Sequence, residues 1–564
     1  MFFLFASVLI NSNARELNRV FDYVVPEEMS GVVSVGSRVF VPFGRGSGLT
    51  EGYVIGFKDV SEFECKAICR VEDSILSGES IELARLMADK YFCNVSDCIR
   101  LMLPPGASSR DLSKRVKEKL VRFVCLAKSR DELLFDIENT IKSEKQKNVL
   151  NFLLENDDFP GSDLEAVCDV SAAVVKSLEK NGFVKFVMRK VDRNPFVHKK
   201  IIRDKKLVLN DEQQSAFDQI AFMIENDEYA EFLLKGVTGS GKTEVYLQLI
   251  DRVIGSGKSA LVLVPEISLT PQIVDRFLAR FGNCIAVLHS RLSNGERFDE
   301  WNRIREGRAK IVIGARSAIF APISNLGLII IDEAHDNSYK SDMTPRYHAK
   351  DLAKYIAKQN NIPLILGSAT PDVCDYYKAL KHDMELVCLT KRANNTTLPN
   401  IEVVDMRQEL SFGNRSMFSL KLQEKIKENL EKRKQTILFI NRRGYSTFIM
   451  CRDCGYVVKC PNCNIALTYH SYGNRLKCHY CGHEENLVRL CPECGSKRIK
   501  YFGSGTQKVE DEISKLFPKA STIRMDIDTV SKKNSHEDIL NKFKNENIDI
   551  LIGTQMIVKR TSFS

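Results

Sequence analysis

Gly236-Val-Thr-Gly-Ser-Gly-Lys-Thr243 restricts what this chain can fold into more than any other eight residues in it. The pattern G-x-x-x-x-G-K-[ST] works at one place in a fold, the turn between a buried β-strand and the N-terminus of a helix. Glycines let backbone amides turn inward around phosphate oxygens, and the helix dipole adds a favourable field. Here the apolar run Phe232 to Leu234 precedes the loop and an amphipathic helical pattern follows it. Lys242 is placed to reach the β- and γ-phosphates of ATP, and the Thr243 hydroxyl to ligate Mg²⁺. Gly236, Val237, Thr238, Gly239, Ser240, Gly241, Lys242 and Thr243 are the candidate nucleotide ligands.

The texture around the loop agrees. Short apolar runs at Phe232 to Leu234, Ala260 to Val264, Lys310 to Gly314, Leu328 to Ile331 and Pro363 to Gly367 alternate with helical periods. Strands buried on both faces with helices between them predict a parallel sheet in an α/β domain. The same texture resumes after a polar linker near Lys391 to Pro399, with Thr436 to Ile440 and Ile548 to Gly553. Two RecA-like lobes are expected, the second interrupted by a cysteine-rich block.

The run Leu328 to Ile331 ends in Asp332-Glu333-Ala334-His335. A carboxylate at the C-terminal end of a buried strand lands beside the phosphate loop, where Asp332 can hold Mg²⁺ through water. Glu333 is then placed to orient and deprotonate the attacking water. The site reads as a nucleoside triphosphatase. Gln213 lies upstream, where helicases carry an adenine-reading glutamine. Gly367-Ser-Ala-Thr-Pro371 stands where they couple hydrolysis to the nucleic-acid track. Val264-Pro-Glu-Ile-Ser-Leu-Thr-Pro271 and Gly314-Ala-Arg-Ser-Ala318 end strands facing the same cleft. Their order along the chain points to a motor rather than a kinase or small GTPase.

Eight of the seventeen cysteines form four Cys-x-x-Cys pairs, Cys451/Cys454, Cys460/Cys463, Cys478/Cys481 and Cys491/Cys494. Each pair can give two thiolates to a tetrahedral Zn²⁺, so two closed structural sites are expected in a reducing cytosol. The five residues between Cys454 and Cys460 are tight for folding two knuckles onto one metal. The fourteen between Cys463 and Cys478 allow a ribbon. This favours a nested arrangement, with Cys460, Cys463, Cys478 and Cys481 on one zinc and Cys451, Cys454, Cys491 and Cys494 on the other. His470, His479 and His483 are not needed as ligands.

Residues 1–107 read as a β-rich module, with alternating segments Val32 to Val41 and Glu51 to Phe57. Its opening MFFLFASVLI lacks a preceding positive charge and a clean cleavage site, so it reads as a buried strand rather than a signal peptide. In 108–206, amphipathic patterns at Val149, Phe152, Leu153 and at Val174, Val175, Leu178 precede Gly182-Phe-Val-Lys-Phe. Helix, turn, helix and strand suggest a winged helix, and a plain helical linker fits equally. Lobe one would cover 207–392 and lobe two 393–564, with the zinc-binding insert at 451–499. A net charge of +9 is only a mild bias toward polyanions. No stretch approaches the roughly 18 apolar residues of a membrane span.

With phosphate loop, acid box, Gly-Ser-Ala-Thr-Pro and an eight-cysteine insert in this order, the chain resembles the bacterial primosomal replication-restart DNA helicases, the primosomal protein N-prime (PriA) family. Phe21-Asp-Tyr-Val-Val-Pro26 and Val39-Phe-Val-Pro-Phe-Gly44 resemble that family's domain for the 3′ end of a nascent strand. The resemblance implies that Phe21, Asp22, Tyr23, Gly44 and Lys66 line the DNA pocket, while from the residues alone Phe21 and Tyr23 read as core aromatics. Asp336 to His348 resembles the family's aromatic-rich loop linking single-strand binding to ATPase. Tyr339 and Tyr347 would stack bases there and Lys340 and Arg346 meet phosphates, unless the loop is merely exposed. The resemblance further implies 3′-to-5′ unwinding, remodelling of stalled forks, and contact with other primosome proteins and single-strand-binding protein in the cytoplasm.

Two departures stand out. Ala334 replaces the family's second glutamate, and after Gly553-Thr-Gln-Met-Ile-Val-Lys559 the sequence leaves the family pattern at Arg560. No Gln-x-x-Gly-Arg-x-Gly-Arg motif occurs, so the arginine pair that reaches the γ-phosphate is expected to be missing from a truncated second lobe. A DNA-binding, zinc-containing remnant with an impaired motor is the competing expectation.

Overall fold

The computed structural model describes residues 4–12, 14–44, 48–74, 76–104, 106, 116, 118–193, 203–266, 271–290, 292–393, 399–440, 448–451, 453–470, 475–502, 506–525 and 535–554. Residues 267–270 of the Val264 to Pro271 segment, 394–398 of the linker and 555–559 after Thr554 lie outside the described residues. The chain divides into two compact units, Met1–Thr396 and Thr397–Ser564.

Seven parallel strands form the central sheet of the first unit. Their order is Ile285–Leu288, Ile311–Gly314, Ser259–Leu263, Leu326–Ile331, Leu364–Ser368, Glu231–Gly236 and Glu385–Leu389. The five inner strands are the apolar runs expected from sequence. The two outer ones carry a weaker signal, because Ile285–Leu288 is only four residues long and Glu385–Leu389 is exposed at Glu385 and Cys388. Sheet side chains point alternately to two cores. Phe232, Leu234, Val262, Ile313 and Ile330 pack under the helices Asp211–Asn226, Lys242–Gly255 and Pro271–Phe281. Leu233, Leu261, Val312, Ile329 and Ile331 face the other way, onto the helix Ala349–Gln359.

That second core also takes in the N-terminal domain. An antiparallel sheet in the order Val20–Val24, Phe5–Ile10, Leu49–Lys58, Ser37–Pro42, Arg70–Ser74 is followed by the helices Gly78–Tyr91 and Val95–Met102. Phe5–Ile10 is the buried strand expected of the opening residues. The expected strand from Val32 shortens to Ser37–Pro42, since Gly36 (φ +92°) turns the chain just before it. Leu83, Ala84, Met87, Cys98 and Ile99 of the two helices join the lobe core with Phe320, Tyr339 and Tyr347. Each buried Leu or Ile contributes roughly 1.5–3 kcal/mol, so this is a built junction rather than a touch.

Between these parts, Leu120–Leu126, Phe159–Pro160 and Val184–Lys190 make a small antiparallel sheet against four helices. The helix-turn-helix differs from the expected pair. A helix Gly161–Val167, too short to show a period, lies between Glu144–Asn156 and Ala172–Lys180, so the turn joins Gly161–Val167 to Ala172–Lys180.

In the second unit the strands Thr436–Phe439, Ile550–Gly553 and Thr522–Met525 are parallel, packed by the helices Leu420–Glu431 and Thr506–Leu516. Between the first and last of these in sequence sits an antiparallel module. Its strands run in the order Glu484–Asn486, Arg475–Lys477, Thr468–His470, Phe448–Cys451, Ile499–Phe502.

Candidate functional site

The strand Glu231–Gly236 ends where the chain turns too tightly for a side chain. A Cβ on Gly236 would lie 2.5 Å from Ser240 Oγ and 3.0 Å from Lys242 Cγ. Gly239 (φ +80°) and Gly241 (φ +83°) make the left-handed turn, and Gly241 caps the helix Lys242–Gly255. Lys242 Nζ donates to the Gly236 carbonyl at 2.8 Å, spanning the loop that contains Val237 and Thr238. Thr243 follows it in the helix's first turn. Gln213 Nε2 donates to the Ser240 carbonyl at 2.8 Å while its Oε1 accepts from Asn210 N at 2.9 Å. Both ends of that amide are engaged, so pairing with an adenine edge would replace the Ser240 bond.

The strand Leu326–Ile331 delivers Asp332 to the loop helix, where Tyr246 Oη donates to Asp332 Oδ1 at 3.1 Å. Gly367 on the adjacent strand makes room for that phenol, since a Cβ there would come within 1.7 Å of Tyr246 Oη. Burial first, and then Glu333, push the Asp332 carboxyl up to about 6, while Lys242 and Tyr246 draw it down. A bound dication would favour the carboxylate. Glu333 adopts φ +46°, a left-handed conformation uncommon for a side-chain-bearing residue. His335 Nδ1 lies 2.7 Å from Ser368 Oγ, which also accepts from Thr370 N at 3.0 Å, and Ala334 N donates to the Gly367 carbonyl at 2.9 Å. The acid box and Gly367-Ser-Ala-Thr-Pro371 are thus locked together. Tyr246 escaped sequence reading because an aromatic at a helical period looks like core.

The aromatic-rich loop corrects one expectation. Tyr339 and Tyr347 are 0% and 3% exposed, so neither offers a ring face for base stacking here. Tyr339 Oη contacts the Leu263 carbonyl at 3.1 Å and the Asp332 carbonyl at 2.5 Å. Tyr347 packs edge-on to Phe320 with ring centres 4.9 Å apart. Both are wedged into the lobe core by their apolar rings. Asn337, Lys340, Asp342, Met343, Thr344 and Arg346 are the exposed residues of the segment. Arg316, from the expected Gly314 to Ala318 segment, donates to the Ser338 and Lys340 carbonyls at 3.2 and 2.7 Å.

At the N-terminal pocket, Tyr23 is buried as a core aromatic, its hydroxyl 3.4 Å from the Pro42 carbonyl. Phe21 is half-buried, edge-on to Phe43 at 5.0 Å. Asp22 accepts from Ser7, Lys58 and Ser61 at 3.0–3.1 Å. Burial pulls its carboxyl up, but Lys58, Ser61 and Ser7 outweigh it and hold the pKa below the usual range. Gly44 (φ +78°) and Lys66 are exposed.

The cysteines gather into Cys451/Cys454/Cys491/Cys494 and Cys460/Cys463/Cys478/Cys481, the sulfurs of each set within 4.8 Å of one another. This is the nested grouping. Cross-pair separations are 3.6 Å (Cys451–Cys494), 3.5 Å (Cys454–Cys491) and 3.6 Å (Cys460–Cys481). Zinc–sulfur bonds of about 2.3 Å in a tetrahedron put sulfurs about 3.8 Å apart, so both clusters fit zinc. All four knuckles share one turn. The residue after the second cysteine, Gly455, Asn464, Gly482 or Gly495, has φ of +55° to +78° and donates its N–H to the first cysteine's carbonyl. Glycine or asparagine after each pair was a sequence signal for these turns that counting cysteines overlooks. No histidine among the described residues joins either set.

A parallel sheet carrying the phosphate loop, acid box and third motif on adjacent strand ends, in a chain that also holds a four-knuckle cysteine module, defines a helicase-class ATP hydrolase. Residues 206–373 match the family model described as type III restriction enzyme, res subunit; 7–104 match the 3′DNA-binding domain; 460–485 match the PriA DNA helicase Cys-rich region. The chain is 41% identical to replication restart protein PriA of Bacillus subtilis, covering 99% of this chain and 77% of that protein. It is 37% identical to the same-named proteins of Haemophilus influenzae (97% and 74% covered) and Chlamydia pneumoniae (100% and 75% covered). The chain belongs to the PriA family of replication-restart DNA helicases. No helix among the described residues is long and apolar enough to cross a membrane.

Proposed function

We propose that this chain is a 3′-to-5′ DNA helicase that recognises and remodels stalled replication forks and promotes primosome assembly. In this reading Lys242 and the loop amides hold ATP, Thr243 and Asp332 hold Mg²⁺, Glu333 orients the attacking water and Gln213 reads adenine. Phe21, Asp22, Gly44 and Lys66 meet the 3′ end of a nascent strand. Other primosome proteins and single-strand-binding protein are its cytoplasmic partners. Zinc in the two four-cysteine clusters holds the insert folded.

The observation that carries this reading is the shared core between the segment matching a 3′DNA-binding domain and the sheet that bears Asp332. One domain that senses a DNA end and one that spends nucleotide are packed as a single body. The test compares fork substrates ending in a 3′-hydroxyl or a 3′-phosphate at the branch, and partial duplexes with only a 3′ or only a 5′ single-stranded tail. Tighter binding to the 3′-hydroxyl fork and ATP-dependent displacement only from the 3′-tailed duplex are expected. Displacement from 5′-tailed duplex alone would reverse the assigned direction.

A further inference from the structure

The loop 336–348 closes on a narrow neck. Lys340 and His348 pair as an isolated antiparallel bridge, and Ser341 N donates to the Tyr347 carbonyl at 2.8 Å. On the Asp332 side, Tyr339 is the next residue back from that neck, its hydroxyl on the Asp332 and Leu263 carbonyls. On the opposite side the neck is met by the last residue of the N-terminal helix Gly78–Tyr91. Tyr91 Oη accepts from His348 N at 3.2 Å and donates to Asp351 Oδ2 at 3.3 Å. Lys340 Nζ lies 5.2 Å from the Tyr91 ring centre, within cation–π range. Lys90 adds an ion pair to Asp351 at 3.0 Å.

One phenol therefore touches both strands of the neck and the helix that follows. Burial, the main cause, together with Asp351 keeps its hydroxyl protonated, pushed up to about 12, so it can donate and accept at once. We propose that Tyr91 is a positioning residue through which the N-terminal domain holds the neck of the loop, and thereby sets how DNA engagement reaches Asp332. The proposal rests on the reading that this loop meets DNA. If DNA bound to the N-terminal domain shifts the end of the Gly78–Tyr91 helix, the His348 and Lys340 contacts are the first to register it.

The test uses the full chain with Tyr91→Phe, which keeps the ring under Lys340 but removes both hydroxyl bonds, and Tyr91→Ala, which removes all. Hydrogen exchange followed by mass spectrometry should show peptides within 337–348 exchanging at least about 10-fold faster in Tyr91→Phe, because an opened neck loses its protection. The strand Leu326–Ile331 should keep its protection, which certifies the fold. DNA-free ATP turnover should stay within about twofold of wild type, while the single-stranded DNA concentration for half-maximal stimulation rises at least fivefold, more in Tyr91→Ala. Unchanged exchange in the loop overturns the positioning role. Faster exchange with an unmoved DNA dependence overturns the coupling. If single-stranded DNA changes neither wild-type turnover nor exchange within 337–348, the reading of the loop as a DNA contact fails, and exchange in the variants still decides whether Tyr91 positions the neck.

Discussion

Lys242 and Asp332 feel each other's charge, and their chemistries can be tested apart. Lys242→Ala removes the side-chain cation of the phosphate loop, so ATP affinity should fall by roughly 100-fold, about 2.7 kcal/mol. Equal affinities by calorimetry would contradict the assignment. Asp332 is the opposite case, a carboxyl whose ordinary pKa of 3.8 is raised to about 6 by burial and Glu333. The folded chain holds a proton there that the unfolded chain releases between pH ~4 and 6. That contribution is full below 3.8 and is lost as pH rises through about 6. The shift corresponds to about 2–3 kcal/mol. Asp332→Asn keeps an acceptor for Tyr246 without the charge. In metal-free urea unfolding at pH 8 it should be more stable than wild type, while ATP turnover drops by about 100-fold or more. A variant less stable than wild type at pH 8 would show that the buried charge is not the cost inferred here.

The four knuckles make the element scale testable. Each supplies two thiolates to a cluster whose other two come from a knuckle 15 or 37 residues away, counting from Cys463 to Cys478 and from Cys454 to Cys491. Losing one ligand should empty its own site, because a three-thiolate site leaves an open coordination position. Cys451→Ser with Cys491→Ser should therefore release one zinc per chain, the same as either change alone. Cys451→Ser with Cys460→Ser should release both. Metal analysis of the purified variants checks the pairing, and the reverse pattern would mean neighbouring knuckles share a metal. Local turn chemistry explains why this element was so legible. Ligand type, spacing and the Gly or Asn after each pair all lie within six residues. The helix Gly161–Val167 lacked any such mark and was missed.

At the scale of the first unit, charge as well as packing ties parts together. The chain leaving the strand Val184–Lys190 is fastened to the lobe-one helix Asn294–Arg305. Arg193 donates to Asp299 through its backbone N at 2.8 Å and its guanidinium at 3.0 Å, and Lys190 pairs with Glu306 at 3.0 Å. Asp299 is 2% exposed. Asp299→Ala leaves the partly exposed Arg193 guanidinium without that partner and should cost about 1–3 kcal/mol. A thermal midpoint unchanged from wild type would show the tether to be decorative. Gly295 fits this junction, since a Cβ there would come within 2.9 Å of Arg193 Cδ.

The amino-acid sequence alone determined the five inner strands, the phosphate loop and its acid, the nested cysteine sets and the opening β-strand. Each of these follows from short-range physics: apolar runs buried on two faces, glycines at left-handed turns, thiolates at fixed spacing. What it left open depends on contacts between residues far apart in the chain. Whether Tyr339 and Tyr347 stack on bases or fill the core turns on Phe320 and on the carbonyls of Leu263 and Asp332, which only folding brings to them. Tyr91 meets His348 across 257 positions of sequence and Lys190 meets Glu306 across 116. No local pattern marks such partners, because a tyrosine or lysine at a helix or strand end is free to face solvent until the tertiary fold supplies its contact.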